Sequence, residues 1–165
     1  MAVQDKYVNA DLIADKLANP ALMSGAKVVA FVSTFETAVA DDDGSVYRIA
    51  KALQPSLIPI QITIYNDAIT ASTDWDLGLY ETGIDEAVID ADVFVDGISM
   101  AGARVLGSGV SGLTAVDVAN LYKKIYEHAG DDVTDYKAGY DLALTANTVG
   151  SAVGTITVVA ILIEG

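Results

Sequence analysis

The sequence contains no cysteine and a single histidine among its 165 residues. The first absence excludes disulfides, thiolate metal sites and cysteine nucleophiles. The second excludes a histidine-based zinc cluster built within one chain. A chain without thiols folds alike in reducing and oxidising surroundings, so the redox compartment stays open. Basic residues are also scarce: nine Lys plus Arg stand against 23 Asp plus Glu, for a formal net charge of -14 and a pI of about 4.1. Such a chain is repelled by DNA, RNA and anionic lipid, so neither nucleic acid nor membrane is expected as a partner. No stretch approaches the roughly 20 apolar residues of a membrane helix. The start, Met1 to Asn9, has no basic region followed by an apolar one, so the chain is expected to be soluble and unexported.

What is present is apolar: 52% of residues are hydrophobic, only 19% are charged, and mean hydropathy is +0.40. A disordered acidic tail is thereby excluded. A mass of 17.2 kDa suits one domain and buries about two thirds of the unfolded chain's surface. Low charge combined with positive hydropathy leaves too few polar side chains to cover the core, so some apolar surface is expected to meet another chain.

Residues 1–25 read as an N-terminal arm with one short helix over Asn9 to Ala18. Leu12, Ile13 and Leu17 fall at helical spacing, with Asn9 as cap and Pro20 beyond the end. This element is either a flap over the end of the core or an arm that orders on a partner. Residues 26–165 read as a single β-sandwich domain. Strands are expected over Ala26 to Ser33, Ser45 to Leu53, Leu57 to Tyr65, Asp74 to Glu81, Val88 to Val95, Tyr140 to Ala146 and Val153 to Ile163. In the third, Ile58, Ile60, Ile62 and Ile64 share one face, and Pro59 belongs near the strand's start or on an edge. Gly78 marks a bulge or a point of close packing. The last strand is apolar on both faces, which calls for cover on both sides, from a second sheet or a partner chain.

One helix is expected from Thr114 to Gly130, with a capping box formed with Asp117 and an apolar stripe that includes Val118, Tyr122, Ile125 and Tyr126. Gly102, Gly107, Gly109 and Gly112 mark a mobile loop. There is no repeat and no linker. Seven or eight short strands with frequent turns and one inserted helix define the expected fold class: an all-β, jelly-roll-like antiparallel β-sandwich with a short N-terminal helix or arm.

Candidate chemistry is thin. Asp41, Asp42, Asp43 and Gly44 resemble the start of a calcium loop, but the fifth and twelfth positions are Ser45 and Ala52, so a solvated turn is the better reading. Asp74 and Asp76 would share a strand face and could share a proton or an ion. They belong to an acidic stretch, Asp67 to Asp96, which is expected to face solvent or a basic patch. Trp75 points the other way, and sugar clefts need several aromatics. His128 sits at the expected helix end, where a charged imidazolium is favoured. Gly107 to Gly112 lacks the lysine of a phosphate-binding loop, and no Gly-x-Ser-x-Gly elbow exists. No catalytic, cofactor or metal residue is assigned.

Two stretches carry a family resemblance. The first is Ser45-Val-Tyr-Arg-Ile-Ala-Lys-Ala-Leu-Gln-Pro, continuing through Ile58-Pro-Ile-Gln-Ile-Thr-Ile-Tyr-Asn-Asp-Ala-Ile-Thr70 to Asp74-Trp-Asp-Leu-Gly-Leu-Tyr80. The second is Tyr140-Asp-Leu-Ala-Leu-Thr-Ala-Asn-Thr-Val-Gly, continuing to Gly154-Thr-Ile-Thr157. With the segment Val116 to His128, they resemble the cement, or decoration, proteins of short-tailed bacteriophage heads. The resemblance implies a jelly-roll-like sandwich without enzymatic activity or cofactor, made in the host bacterial cytoplasm. It implies a homo-oligomer bound to the major capsid (coat) protein on the outer surface of the virion. A dimer is preferred to a trimer because isologous pairs are the commonest symmetric contact. Tyr7, Leu12, Ile13 and Leu17 are the expected coat or subunit contacts. The alternatives are a carbohydrate- or calcium-binding sandwich using the acidic stretch and Trp75, and a cupin-like or glycosidase enzyme, against which the single histidine weighs.

Overall fold

The computed structural model describes residues Asp5–Tyr7 and 27–165. Within them run β1 (Asp5–Tyr7), β2 (Val28–Glu36), β3 (Ser45–Leu53), β4 (Leu57–Asn66), β5 (Asp74–Glu81), β6 (Val88–Ile98), β7 (Val110–Ser111), β8 (Tyr140–Thr148) and β9 (Thr155–Glu164). One sheet has the order β2-β9-β4-β7, the other β1-β3-β8-β5-β6. From β2 onward the chain changes sheet at every step except β5 to β6. With four strands per sheet, this is the double-sheet jelly roll. β1 adds to the edge of β3 in parallel, Asp5 opposite Val46 and Tyr7 opposite Arg48. Leu12, Ile13 and Leu17 lie outside the described residues, as does the expected N-terminal helix.

The strands follow from side-chain partition. In β9, Ile156, Val158, Ala160 and Leu162 are buried, while the intervening residues Thr155 to Ile163 are only half-buried. The two sheets are joined through an aromatic stack. Phe35 of β2 lies 4.8 Å from Tyr47 of β3, and Tyr47 lies 5.3 Å from Trp75 of β5, ring centroid to centroid. Trp75 is wholly buried, and its Nε1 donates to Ser72 Oγ at 2.6 Å, which removes the cost of an unpaired indole N–H.

Three expectations change. The run of isoleucines in β4 does not keep one face, because a bulge between Pro59 and Gln61 makes Ile60 the extra residue in the pairing with β9. Ile62 and Ile64 enter the core, while Ile60 is exposed; one inserted residue reverses every side chain beyond it. The long helix over Thr114 to Gly130 is also absent. The segment forms a 3-10 turn, Val118–Asn120, and a short helix, Ile125–His128. Asp117 caps the turn by accepting from Ala119 N at 3.1 Å, and Lys124 is extended at φ -75°, ψ 160°. Tyr126 N donates to Pro55 O (3.3 Å) rather than to the preceding helical turn. This tertiary bond, with Ile125 buried in the core, replaces helical continuity, and it leaves Val118 and Tyr122 exposed.

The third change is in the glycine-rich loop, which is tied down at both ends. Arg104 donates to Asn66 Oδ1 (2.8 Å) and to Ser99 O (2.6 Å), and Gly112 N donates to Ile62 O (2.8 Å). Gly78 is a close-packing point, as expected. A Cβ there would stand 2.1 Å from Asp90 O, because β6 folds across β5 at that position.

Candidate interaction surface

Most residues singled out for chemistry prove to be internal fastenings. Asp41 is buried, and its Oδ2 accepts from Tyr47 OH at 2.6 Å and Ala38 N at 3.1 Å. Burial, followed by the hydrogen bond to Asp41 and its charge, pushes the Tyr47 phenol well above its ordinary range. Asp43 Oδ1 accepts from Val149 N at 3.0 Å. The turn is therefore solvent-exposed at Asp43 and Gly44, as expected, but is fastened to the strands through Asp41 and Asp43. Its carboxylates are turned to backbone N–H groups and a phenol, which is not how a calcium ligand set is arranged.

Asp76 is buried as well, with Oδ1 accepting from Gly97 N (2.9 Å) and Oδ2 from Asn147 Nδ2 (2.6 Å). Both of its oxygens are engaged, which does not suit a proton-sharing pair with Asp74. Trp75, wholly buried, offers no platform for a sugar. Among the described residues, no group of three or more His, Asp or Glu is placed to hold a metal ion. Within the acidic stretch, Asp90 is pulled above the usual carboxylate range by partial burial and then by its hydrogen bond with Asp92.

His128 departs from the expected charged cap. Its ring meets Phe94 edge-on at 5.1 Å, and its Nε2 is buried without a hydrogen-bond partner among the described residues. Burial, aided by the charge of Lys123, holds its pKa below the ordinary 6.5. A helix of one turn has little dipole to oppose that.

The strongest polar constellation was not among the sequence candidates. Arg48 and Asp141 are fully buried and paired, Nη1 to Oδ2, at 3.2 Å. Arg48 also donates to Glu81 O (2.7 Å) and Glu86 O (3.2 Å), with its guanidinium 5.1 Å from the Tyr80 ring centre. Asp141 accepts from Ala52 N (2.8 Å) and Gly83 N (3.3 Å). The pair therefore pins the β5–β6 turn and the bulged end of β3 at once, where Ala52 has φ 52°. The available signal was a charged residue embedded in each of two apolar strands, Tyr47-Arg48-Ile49 and Tyr140-Asp141-Leu142. This is structural chemistry: every group is matched, and no reacting atom has access.

What remains for function is surface. The outward face of the β2-β9-β4 sheet presents Val28, Ala30 and Val32 on β2, in register with Ile163, Ile161 and Val159 on β9. β4 continues it with Thr63 opposite Val159 and Tyr65 opposite Thr157. No carboxylate or basic group lies among these rows, which include the Tyr65 phenol; Glu36 stands at one corner, opposite Thr155. Val28 and Val32 are 45% and 52% exposed. Two pairs of polar side chains on this face bond to each other: Thr34 and Thr157 hydroxyls are 2.9 Å apart, and Gln61 Nε2 donates to Thr63 Oγ1 at 3.2 Å. Of the four residues expected to make contacts, the structure places the backbone of Tyr7, at the edge of the opposite sheet.

No protein-family model and no curated protein matches the sequence. Solved structures do share its architecture. A chain from the capsid of Ralstonia phage GP4 superposes with a TM-score of 0.61 at 12% identity, covering 96% of this chain and 97% of its own. A chain from the capsid asymmetric unit of cyanophage Pam1 does so with a TM-score of 0.55 at 14% identity, covering 92% of this chain and 95% of its own. The chain therefore shares its all-β sandwich fold, over nearly its full length, with chains found in phage capsids.

Proposed function

We propose that the protein is a non-enzymatic structural component of a bacteriophage head, a cement protein that binds over the major coat lattice on the outside of the virion. The observation that carries this reading is the match over more than nine tenths of the chain, in both directions, to chains of two phage capsids. The site chemistry is in keeping with it: Asp41, Asp43, Asp76, the tryptophan and the histidine are engaged within the fold, and what faces outward includes a largely apolar sheet and exposed acidic residues. Coat contact through Tyr7, Leu12, Ile13 and Leu17 of the arm belongs to the same proposal.

The physical action is linkage. A protein that binds only the assembled lattice lowers the free energy of that state relative to the disrupted one. Contacts of about 1,000 Å² per copy suffice when one assembly engages several coat subunits, since each later contact is effectively intramolecular. The test is co-sedimentation of purified protein with mature heads that lack it, followed by melting of the heads. Saturable binding with a raised head melting temperature is the expected result. Absence of binding at micromolar protein overturns the cement role for that coat.

A further inference from the structure

We infer that residues 118–124, on the crossover from β6 to β8, are a docking surface for a protein partner that offers an apolar pocket bordered by carboxylates. Assigning that pocket to the coat lattice rests on the head reading above. Two independent features coincide in this run. Val118, Leu121 and Tyr122 are 81%, 38% and 79% exposed, and nowhere else among the described residues do three large exposed hydrophobic side chains stand within five positions. Lys123 and Lys124 follow at once, and they are the only consecutive basic residues of the sequence. Neither is ion-paired among the described residues, although the chain carries 23 acidic residues. No carboxylate occurs from residue 118 to residue 126. The two that flank the run are turned to backbone: Asp117 accepts from Ala119 N (3.1 Å) and Glu127 Oε2 from Lys124 N (2.7 Å).

The run is held in place from both ends. Ala115 N donates to Phe94 O (3.0 Å), and Tyr126 N to Pro55 O (3.3 Å). Between them Asn120 N donates to Asp117 O (2.8 Å) and Lys123 N to Asn120 O (3.0 Å). The core takes Ile125 from the apolar stripe of this segment and leaves Val118 and Tyr122 outside. A backbone so fixed has little conformational entropy left to lose on binding. An exposed tyrosine among aliphatic side chains is the usual anchor of an interface, and charges at the rim steer and select the partner. Charge here sets the partner's chemistry: two unpaired ammonium groups beside apolar side chains match a pocket with carboxylates at its edge. A nucleic acid is also anionic, but two lysines do not offset a formal -14, and phosphates give Leu121 and Tyr122 nothing apolar to enter. One such contact is small. Repeated over several coat subunits by one assembly, it is sufficient.

Titration of the full chain onto mature heads that lack it separates this inference from the head reading: wild-type binding tests the reading, and the ratio of variant to wild-type affinity tests the surface. Tyr122→Ser, folded by circular dichroism, is expected to bind about tenfold more weakly or worse. Lys123→Glu/Lys124→Glu is expected to lose about tenfold as well, and Lys123→Gln/Lys124→Gln less, because it removes the attraction without adding repulsion. Val32→Asp, a charge placed on the exposed outer sheet, is expected to bind as wild type. Tyr122→Ser and the double Glu variant both binding as wild type overturns the inference and leaves the head reading standing. Loss of binding with Val32→Asp alone does the same, and moves the coat contact to the sheet. Unchanged head binding by Tyr122→Ser, together with loss of a dimer that wild type forms in sedimentation equilibrium, gives the surface to a second copy and overturns the inference. A wild type that does not bind heads at all overturns both.

Discussion

Replacement of Arg48 by methionine tests whether the buried ion pair holds the sandwich together. The change removes the guanidinium that pairs with Asp141 and supplies donors to Glu81 O and Glu86 O. Asp141, fully buried, then keeps the Ala52 and Gly83 N–H groups but has lost its cation. Removing one partner of a buried pair costs about 3–5 kcal/mol, because the other charge is left uncompensated. For a chain of this size each kcal/mol shifts the melting temperature by about 2–4 °C, so the expected loss is about 6–20 °C.

Asp141→Leu alone is expected to be comparably harmful, whereas Arg48→Met/Asp141→Leu should recover much of the loss, since an apolar pair of similar volume is often neutral in such a site. Urea denaturation of the four proteins measures the cycle. Hydrogen exchange adds a local readout, with the amides of residues 81–87 exchanging faster in Arg48→Met because the turn has lost its two anchors. A cost below about 1 kcal/mol, the size of an exposed pair, or strict additivity of the two changes, would refute the reasoning.

Other positions give independent checks. Gly78→Ala places a Cβ 2.1 Å from Asp90 O; because backbone must move to admit it, the expected cost is about 1–3 kcal/mol or more, read as a lower denaturation midpoint. Asp41→Ala removes the acceptor of Tyr47 OH and Ala38 N. It is expected to cost about 1.5–3 kcal/mol, and Tyr47→Phe less, since the phenylalanine leaves no buried hydroxyl unpaired. For His128 the folded pKa lies below the unfolded 6.5, so the unfolded chain takes up the proton first. The stability due to the neutral ring is present above pH 6.5 and is lost as pH falls through the lower folded value. His128→Leu is therefore expected to flatten the stability profile below pH 6.5 relative to wild type; parallel profiles would show that His128 does not contribute.

The sequence by itself determined seven of the nine strands, missing only β1 and β7, and excluded thiol chemistry. Ser45–Leu53 and Asp74–Glu81 emerge with the bounds that their composition implies, because the two-residue period records which side chains must leave water. The two-sided apolarity of β9 was legible for the same reason. A chain with no cysteine and one histidine cannot conceal many catalytic arrangements.

Tertiary structure decided what depends on partners distant in sequence. Arg48 and Asp141 are 93 residues apart, and no local period can announce their meeting. The bulge at Ile60 arises from pairing with β9, so alternation read along β4 alone predicts the wrong face for its first isoleucines. The segment after Thr114 has helical spacing, but Tyr126 N finds Pro55 O and Ile125 finds the core, and bonds across the sandwich outweigh the small propensity of one amphipathic stretch. Trp75, His128 and Asp76 took internal roles because the surroundings that bury them come from other strands and loops. Local partition of apolar and polar side chains is written along the chain, whereas the desolvation and pairing that settle each polar group's role exist only once the sheets have closed.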